Sequence, residues 1–497
     1  MQLFKKILLY TVLSSILLLY YLSVATNNSV HSDAGSVLLM SKSILEGNVF
    51  LNGWFLSTGS YYSTELIWYS LFIVLFGFNS NLIYLVSSIF FLILSWLVFF
   101  VSGRTREGFS YRRAIVGFLL IGLPSPFVST LVFSGAMHIS ALCYVLIALI
   151  ALEFIKRNYL KYSIYFVLLT LVLFADPFMI WTFFVPFIIT SFLIWIVKKE
   201  MKEPITITVS VLSYIFSKIL LYLFNFNIPE TSTAFVELEK IKGNIFLYIK
   251  GMLEIYNANI FGKSVGNYNT VIVGLHIIVL FCIVMILFNA IKKIKNSREF
   301  DKLYLFLLVG IVINVAEFIF SNLAVDINSA RYLFPSIVYA SIFVAKYSKI
   351  PVSFTKHATL LYYPIIIVYI LISLNYPIGF EKVKQDEVIQ FLESKNLKTG
   401  YGSYWNSHNL TVQSKGVISI YPIIASESGI SSFNWLSNIN WYNNEANFVI
   451  FQNDNWGNIN QATVATGLGE PDQIYQFNSY TIMVWENSIQ SRIIKSN

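Results

Sequence analysis

The run Leu82–Gly103, LIYLVSSIFFLILSWLVFFVSG, has no charged residue and is long enough to cross a bilayer as a helix. Arg104 and Arg106 follow it directly. The chain as a whole has the same character, since 56% of its 497 residues are hydrophobic and only 12% are charged. A soluble domain carries about 25% charged residues. This composition excludes a soluble multidomain enzyme and a disordered chain, and it predicts a polytopic α-helical membrane protein.

Apolar runs of this kind predict about eleven transmembrane helices. The runs are 7–25, 82–103, 114–131, 139–155, 162–175, 178–197, 205–224, 271–291, 303–320, 332–346 and 358–375. The first run is longer than the apolar region of a usual signal peptide, so we expect an uncleaved anchor, although Ser23-Val24-Ala25 is similar to a signal-peptidase site. We therefore expect a transmembrane domain over residues 1–375 and a separate domain over 376–497.

The apolar segment 61–78 decides the orientation, because counting it as a span would invert every later loop. With 61–78 in the membrane interface, twenty Lys and Arg residues fall in the cytoplasmic loops and six in the opposite loops before the tail. Basic residues are enriched in cytoplasmic loops, so we expect a cytoplasmic N-terminus in the plasma membrane. The first loop 26–81, the long loop 225–270 and the tail are then extracytoplasmic. The excess of basic over acidic residues reflects this orientation. We therefore expect no nucleic-acid partner.

The first outer loop has the pattern of two helices that lie along the outer membrane surface. Ser32-Asp33 is an N-cap signal for an amphipathic helix that Gly47 ends, and a helix from Tyr61 to Phe78 carries Glu65 among many aromatic residues. Asp33 has two interpretations. One is the helix N-cap, the other is a general base that deprotonates an acceptor hydroxyl at the membrane surface, and the two are compatible.

The run Asp33–Asn48, DAGSVLLMSKSILEGN, resembles the first extracytoplasmic loop of the GT-C membrane glycosyltransferases. In that superfamily an Asp follows the first span, a short helix ends in Gly-Asn or Gly-Asp, and an aromatic juxtamembrane helix matched by Tyr61–Phe78 comes next. The stretch from Arg331 to Pro335, RYLFP, is similar to the RYxxP motif of the bacterial branch. That branch is related to protein O-mannosyltransferases and lipid A aminoarabinose transferases. The resemblance covers the N-terminal 100 residues, this motif, the overall layout and the extracytoplasmic tail.

The resemblance implies transfer of a sugar from a polyprenyl-phosphate donor to a glycan, glycolipid or protein acceptor at the outer face, with inversion if a single displacement occurs. Asp33 matches the catalytic aspartate of the family, which would orient and deprotonate the acceptor hydroxyl. Two departures concern a metal ion: Ala34 stands where the family often has Glu, and Pro124–His138 contains no acid. Because divalent cations need several oxygen ligands, we expect no metal cofactor, with Mg²⁺ or Mn²⁺ as the alternative.

Ionisable residues near the hydrocarbon of a membrane are costly and are therefore candidates for function. We expect such residues to bind the substrate or the donor phosphate. The candidates are Arg331, His138, Lys218, Asp176 and Glu65, and Glu317 is a candidate partner for one of the cations. Arg331 and His138 have the alternative role of interfacial anchors, and Asp176-Pro177 that of a tight turn.

The tail predicts a small extracytoplasmic α/β domain. Its expected elements are a helix over Glu381–Leu397, strands near Gly402–Trp405, Gly416–Ile420, Asn447–Gln452 and Tyr480–Trp485, and a helix near Asn460–Thr466. Its aromatic residues either stack on sugars or belong to the core and the interface of this domain. They are Trp405, Trp435, Trp441, Tyr442 and Trp456. The loop 225–270 predicts an amphipathic helix through about Tyr256, acting as a lid or as a surface helix. Cys143 and Cys282 lie in apolar runs and predict no disulfide.

Other classes of protein remain alternatives. A polysaccharide polymerase or ligase would also be polytopic with an outward-facing site, and a polysaccharide or lipid transporter or flippase would share the composition. A transporter is expected to show internal repeats and broken spans with charges at the midplane, and the sequence has no clear repeat. An inactive scaffold whose tail binds a partner is a third alternative.

Overall fold

The computed structural model describes residues 2–105, 108–133, 135, 138–229, 234–261, 268–294, 301–347, 385–452, 454 and 456–495. Up to Tyr347 these residues are mostly helical, and from Gln385 they form a region built on a mixed β-sheet. The predicted combination of an α-helical part with a smaller C-terminal region of helices and strands is confirmed at this level.

The first part of the chain contains fourteen described α-helices. They are α1 Gln2–Ala25, α2 Ser32–Leu45, α3 Ile67–Phe76, α4 Asn81–Gly103, α5 Tyr111–Ile121, α6 Pro126–Val132, α7 Ile139–Phe154, α8 Asn158–Ala175, α9 Val185–Lys198, α10 Lys202–Phe224, α11 Leu238–Ile255, α12 Tyr268–Ile294, α13 Lys302–Phe320 and α14 Phe334–Tyr347. Short helical turns of other pitch lead directly into three of them: π-helical turns over Tyr62–Leu66 and Ile180–Phe184 precede α3 and α9, and a 3₁₀ turn over Ile327–Leu333 precedes α14.

Seven helical segments of the described chain are long and apolar enough to cross a membrane, and an eighth results if α5 and α6 form one bent span. The seven are Ile7–Ala25, Asn81–Gly103, Asn158–Ala175, Ile180–Lys198, Lys202–Phe224, Thr270–Asn289 and Lys302–Phe320. Helices of this number and composition belong to a multi-pass membrane protein. The expected count of eleven is not reached among these residues.

Local features of the chain explain why fewer than eleven membrane-spanning helices are found among the described residues. The expected span 114–131 bends by 81° between α5 and α6, where Pro126 stands in the first turn of α6 and Ser125 caps it by accepting the Val128 N–H at 3.2 Å. The expected spans 139–155 and 332–346 form helices of 16 and 14 residues, below the roughly 20 residues that a perpendicular crossing needs. The expected span 358–375 lies outside the described residues.

Both predicted helices of the first loop are present. In α2, however, the N-cap is His31, whose Nδ1 accepts the Ala34 N–H at 3.3 Å. Asp33 lies within the first turn, so the interpretation of Asp33 as the N-cap is wrong, because the imidazole two residues earlier already takes that place. Gly47, with φ at +99°, follows the end of the helix as expected.

The long loop also contains its predicted helix, α11, which ends at Ile255. This helix packs against the 3₁₀ turn before α14, where Ala330 lies so close to Gly251 that a Cβ on the glycine would be 3.0 Å from the alanine methyl. Residues 230–233 and 262–267 of this loop lie outside the described residues.

The C-terminal region is built on a six-stranded sheet in the order β6-β5-β4-β8-β10-β9. Its strands are β4 Thr399–Gly402, β5 Ser419–Ser426, β6 Gly429–Ser432, β8 Phe448–Gln452, β9 Gln473–Phe477 and β10 Tyr480–Val484. β4 pairs in parallel with β5 and β8, and the other pairs are antiparallel. The helices of the region are Gln385–Ser394, His408–Gln413 and Gln461–Leu468.

Two predicted strands of the tail are displaced. The strand expected at Gly402–Trp405 ends at Gly402, because a 3₁₀ turn begins at Tyr404. The strand expected at Gly416–Ile420 begins only at Ser419, because Lys415 and Gly416 both have positive φ angles and form a turn. The strands β8 and β10 lie close to where they were predicted, whereas β6 and β9 were not predicted.

The tail packs against the start of the chain at two places. The short strand β1, Trp54–Phe55, pairs antiparallel with β7, Ser437–Asn438. The helix His408–Gln413 lies on α2 so closely that a Cβ at Gly35 would be 2.9 Å from the carbonyl carbon and oxygen of His408. The tail is therefore fixed over the first turns of α2, next to Asp33.

Candidate functional site

Asp33 is half-buried in the first turn of α2, and the tail provides its hydrogen-bond donor. The hydroxyl of Tyr404 donates to Asp33 Oδ1, and the hydroxyl of Ser32 donates to the Tyr404 carbonyl oxygen. Burial, reinforced by the charge of Asp33, raises the pKa of Tyr404 well above its ordinary value. Tyr404 therefore remains protonated and keeps donating to the carboxylate.

Arg331 lies in the 3₁₀ turn before α14, which Asp326 caps by accepting the Ser329 N–H at 3.1 Å. Its Nη2 donates to the Tyr332 hydroxyl at 3.2 Å. Its Nε is buried and has no hydrogen-bond partner in the described part of the chain. Burial opposes the charge, but Tyr332 and Asp33 outweigh this effect and raise the pKa of Arg331. A permanent cation thus lies within electrostatic reach of Asp33.

His138 and Asp176 form a buried pair beside Tyr332, the residue that follows Arg331. His138 Nδ1 lies 2.7 Å from Asp176 Oδ2, and both side chains are less than one tenth exposed. Asp176 ends α8, and its Oδ1 accepts the Phe178 N–H at 3.2 Å. The imidazole is enclosed by aromatic rings, with centroids 4.6 Å from Phe178, 5.8 Å from Tyr332 and 6.0 Å from Tyr61.

Glu65 is buried in the π-helical turn before α3. Its Oε1 accepts a hydrogen bond from the Ser140 hydroxyl at 3.2 Å, while Oε2 has no partner among the described residues. Burial, with a smaller contribution from Asp176, raises the pKa of Glu65 to about 8. Glu65 is therefore able to hold a proton at neutral pH. Glu317 also lies within electrostatic reach of Asp176.

We call Asp33, Glu65, His138, Asp176 and Arg331 the polar cluster. They come from five separate segments of the chain, and His138 and Asp176 are in direct contact. Glu65 lies within electrostatic reach of Asp176, Asp33 lies within electrostatic reach of Arg331, and Tyr332 connects Arg331 with His138. Lys218 is not brought to them: its side chain is exposed on α10, with Nζ 5.3 Å from the Tyr214 ring.

Sequence reasoning did not single out four residues that surround the polar cluster. They are His31, Tyr61, Tyr332 and Tyr404. Tyr332 is part of the RYLFP stretch and Tyr61 opens the aromatic helix, so a local signal existed for both. Tyr404 is 371 residues from Asp33, and no local pattern connects the two.

Within the described residues, no group of three or more His, Cys, Asp or Glu side chains is arranged to hold a metal ion. The charged groups available to a substrate here are one guanidinium, the carboxyl groups and one imidazole. This set can neutralise an anion such as a phosphate and can orient a hydroxyl group.

No protein-family model matches the sequence, and no curated protein matches it significantly. The fold and the polar cluster therefore define the class only at a coarse level: a multi-pass membrane protein with a C-terminal region of mixed sheet.

Proposed function

We propose that the protein is a membrane glycosyltransferase that moves a sugar from a polyprenyl-phosphate donor to a glycan, lipid or protein acceptor on the extracytoplasmic face. The observation that carries this proposal is the buried Nε of Arg331, which has no hydrogen-bond partner among the described residues and lies in the turn that leads into the apolar helix α14. Such a transfer needs an anion-binding group for the phosphate and an acceptor-binding group beside it, both within reach of a lipid chain.

In this proposal Arg331 binds the donor phosphate. A guanidinium presents several N–H donors in a plane and matches phosphate oxygens in a bidentate manner. Arg331 uses Nη2 on Tyr332 and leaves Nε without a partner among the described residues. A buried N–H without an acceptor is costly, so a phosphate oxygen would satisfy it while its charge offsets that of Arg331.

In this proposal Asp33 binds the hydroxyl group of the acceptor. Tyr404 occupies Oδ1, which holds the carboxylate in one orientation and leaves Oδ2 for the acceptor hydroxyl. The acceptor hydroxyl gives its proton to a base of the site as its oxygen attacks the anomeric carbon, and the bond from that carbon to the phosphate oxygen breaks with its electron pair. Polyprenyl phosphate leaves with its charge stabilised by Arg331. A single displacement of this kind inverts the anomeric centre.

A transfer assay with a charge-neutral variant tests this function. Purified protein in proteoliposomes would receive radiolabelled polyprenyl-phosphate hexose, pentose or amino-sugar, with membrane extract as the acceptor source. We expect Arg331→Gln to lower transfer by about 100-fold or more, the usual effect of removing one preorganised charge-stabilising group. Lys250→Gln, which removes an exposed cation on α11, should leave it unchanged. Equal transfer by Arg331→Gln, or no consumption of any donor by the wild type, would contradict the proposal.

A further inference from the structure

The pair of His138 and Asp176 has no part in the mechanism given above, yet it has the geometry of a proton-transfer pair. We propose that His138 Nε2 is the atom that accepts the proton of the acceptor hydroxyl, with Asp176 as its positioning residue. This inference rests on the proposed transfer function and identifies the base of that reaction.

The hydrogen bonds of Asp176 decide the tautomer of His138. Both oxygens of Asp176 are engaged, Oδ2 by His138 Nδ1 at 2.7 Å and Oδ1 by the Phe178 N–H at 3.2 Å. A carboxylate only accepts hydrogen bonds, so Nδ1 must carry the proton. In the neutral imidazole Nε2 then keeps its lone pair, which is the form that a general base needs. No described residue forms a hydrogen bond with Nε2.

The backbone of His138 also has an uncommon conformation. Its φ is +63° and its ψ is −15°, in the left-handed region where residues other than Gly are uncommon. Its side chain does not cap α7, although the residue stands at the N-cap position. The local sequence therefore gains no helix cap from His138. Strained positions of this kind are held by their surroundings and are common at functional sites.

His138 also lies beside the tyrosine that contacts Arg331, the residue proposed to bind the phosphate. Its imidazole and the Tyr332 ring have centroids 5.8 Å apart, and the Tyr332 hydroxyl accepts the hydrogen bond from Arg331. Asp33 Oδ1 accepts from Tyr404, and the charge of Asp33 acts on Arg331. In this proposal Asp33 orients the hydroxyl and the lone pair on His138 Nε2 receives its proton.

The proposed step is balanced. The O–H bond of the acceptor breaks and its proton binds to Nε2, the oxygen forms a bond with the anomeric carbon, and the electron pair of the broken carbon–oxygen bond leaves with polyprenyl phosphate. Asp176 stabilises the resulting imidazolium, which later releases the proton to water. Other titratable groups near the pair are Tyr61, Glu65, Glu317, Tyr332 and Arg331.

Because several of these groups titrate, the test compares the pH dependence of kcat/KM in the wild type and in His138→Gln. We expect the wild type to lose activity at low pH, where a protonated imidazole cannot accept a proton. His138→Gln should lower transfer by about 10²–10⁴-fold and remove that acidic limb. Asp176→Asn should lower transfer to a similar degree while the melting temperature changes little. Wild-type transfer with an unchanged acidic limb in His138→Gln would overturn the inference but leave the transfer function standing.

A measurement without turnover separates failure of the base from failure of the function. The chain has five histidines, so the ¹⁵N-histidine NMR signal that disappears in His138→Gln can be assigned directly. We expect this signal to show a protonated Nδ1 and an unprotonated Nε2 at pH 8. A protonated Nε2 in the neutral ring would overturn the inference, whether or not any sugar is transferred. If the expected tautomer is found and no donor is consumed, the proposed transfer function has failed, and with it the role of His138 as its base.

Discussion

The hydroxyl of Tyr404 donates a hydrogen bond to Asp33, joining two residues that lie 371 positions apart. The Tyr404 carbonyl accepts a second hydrogen bond from Ser32, the residue before Asp33. The tail therefore binds the first turn of α2 through both the side chain and the backbone of one tyrosine. As a result, Asp33 depends on the C-terminal region for its orientation.

Removing the Tyr404 hydroxyl tests this dependence. We expect Tyr404→Phe to lower sugar transfer by about tenfold or more, since a hydrogen bond to a charged group contributes roughly 1.5–3 kcal/mol. Tyr401→Phe is the matched control, because the Tyr401 hydroxyl is also buried in the tail but has no hydrogen-bond partner among the described residues. Equal losses in the two variants would show that Tyr404 acts only through general packing.

The contact at Gly35 gives a separate prediction about the docking of the tail. Gly35→Ala places a methyl group 2.9 Å from backbone atoms of His408, which cannot move aside as a flexible side chain could. We expect a cost of roughly 1–3 kcal/mol and faster proteolysis within the tail in detergent.

Gly243→Ala is the control for this experiment. Gly243 also lies in a helix, α11, and a Cβ there would meet nothing within 4 Å. Alanine favours helix by up to about 1 kcal/mol relative to glycine, so this variant should be as stable as the wild type or more so. Protection of the tail in Gly35→Ala equal to that in the wild type would contradict the close packing described above.

The buried carboxyl of Glu65 predicts a pH-dependent stability. Its pKa rises from 4.5 to about 8 in the folded protein, so the folded state holds the proton more tightly than the unfolded state. This contribution to stability is complete below pH 4.5 and is lost as the pH rises to about 8, by at most about 1.4 kcal/mol per pH unit.

Glu65→Gln keeps the shape of the side chain and removes its charge. We expect the melting temperature of this variant to exceed that of the wild type by a margin that grows from pH 5 to pH 8. Glu393→Gln, at an exposed position of the tail, should follow the wild type at every pH. Parallel curves for the wild type and Glu65→Gln would show that Glu65 is ionised in the folded protein.

Cysteine labelling tests the membrane orientation that the basic loops predict. In a Cys282→Ser background, with Cys143 buried, a membrane-impermeant maleimide should label Glu427→Cys in intact cells. It should label Lys156→Cys only after permeabilisation. Both positions are exposed, one between β5 and β6 and the other between α7 and α8. The reverse pattern would place the polar cluster on the cytoplasmic side.

Patterns within one segment were sufficient to predict most of the helices. The apolar run 82–103 forms α4, and the polar and apolar spacing after Ser32 forms α2. The predictions were wrong where a neighbour from the same loop competed, as when His31 rather than Asp33 caps α2. The span expected at 114–131 is divided between two helices, α5 and α6, because the chain bends by 81° around Pro126.

The sequence indicated candidate ionisable residues but not their arrangement, and Lys218 lies apart from the polar cluster. Arg331, His138 and Asp176 were recognisable because ionisable groups near apolar runs are unusual. Their contacts depend on how α7, α8 and the turn before α14 meet, which no local pattern contains. The same reason explains why Tyr404 was missed: its partner becomes its neighbour only when the tail folds back over α2.

The role of Asp33 is tested most directly by transfer from a polyprenyl-phosphate sugar in proteoliposomes. Asp33→Asn is measured beside Asp386→Asn, which changes an exposed aspartate of the tail. We expect Asp386→Asn to transfer sugar at the wild-type rate and Asp33→Asn to lose about 100-fold or more, because the neutral amide no longer orients the acceptor as the carboxylate does. Transfer by Asp33→Asn at the wild-type rate would contradict this role.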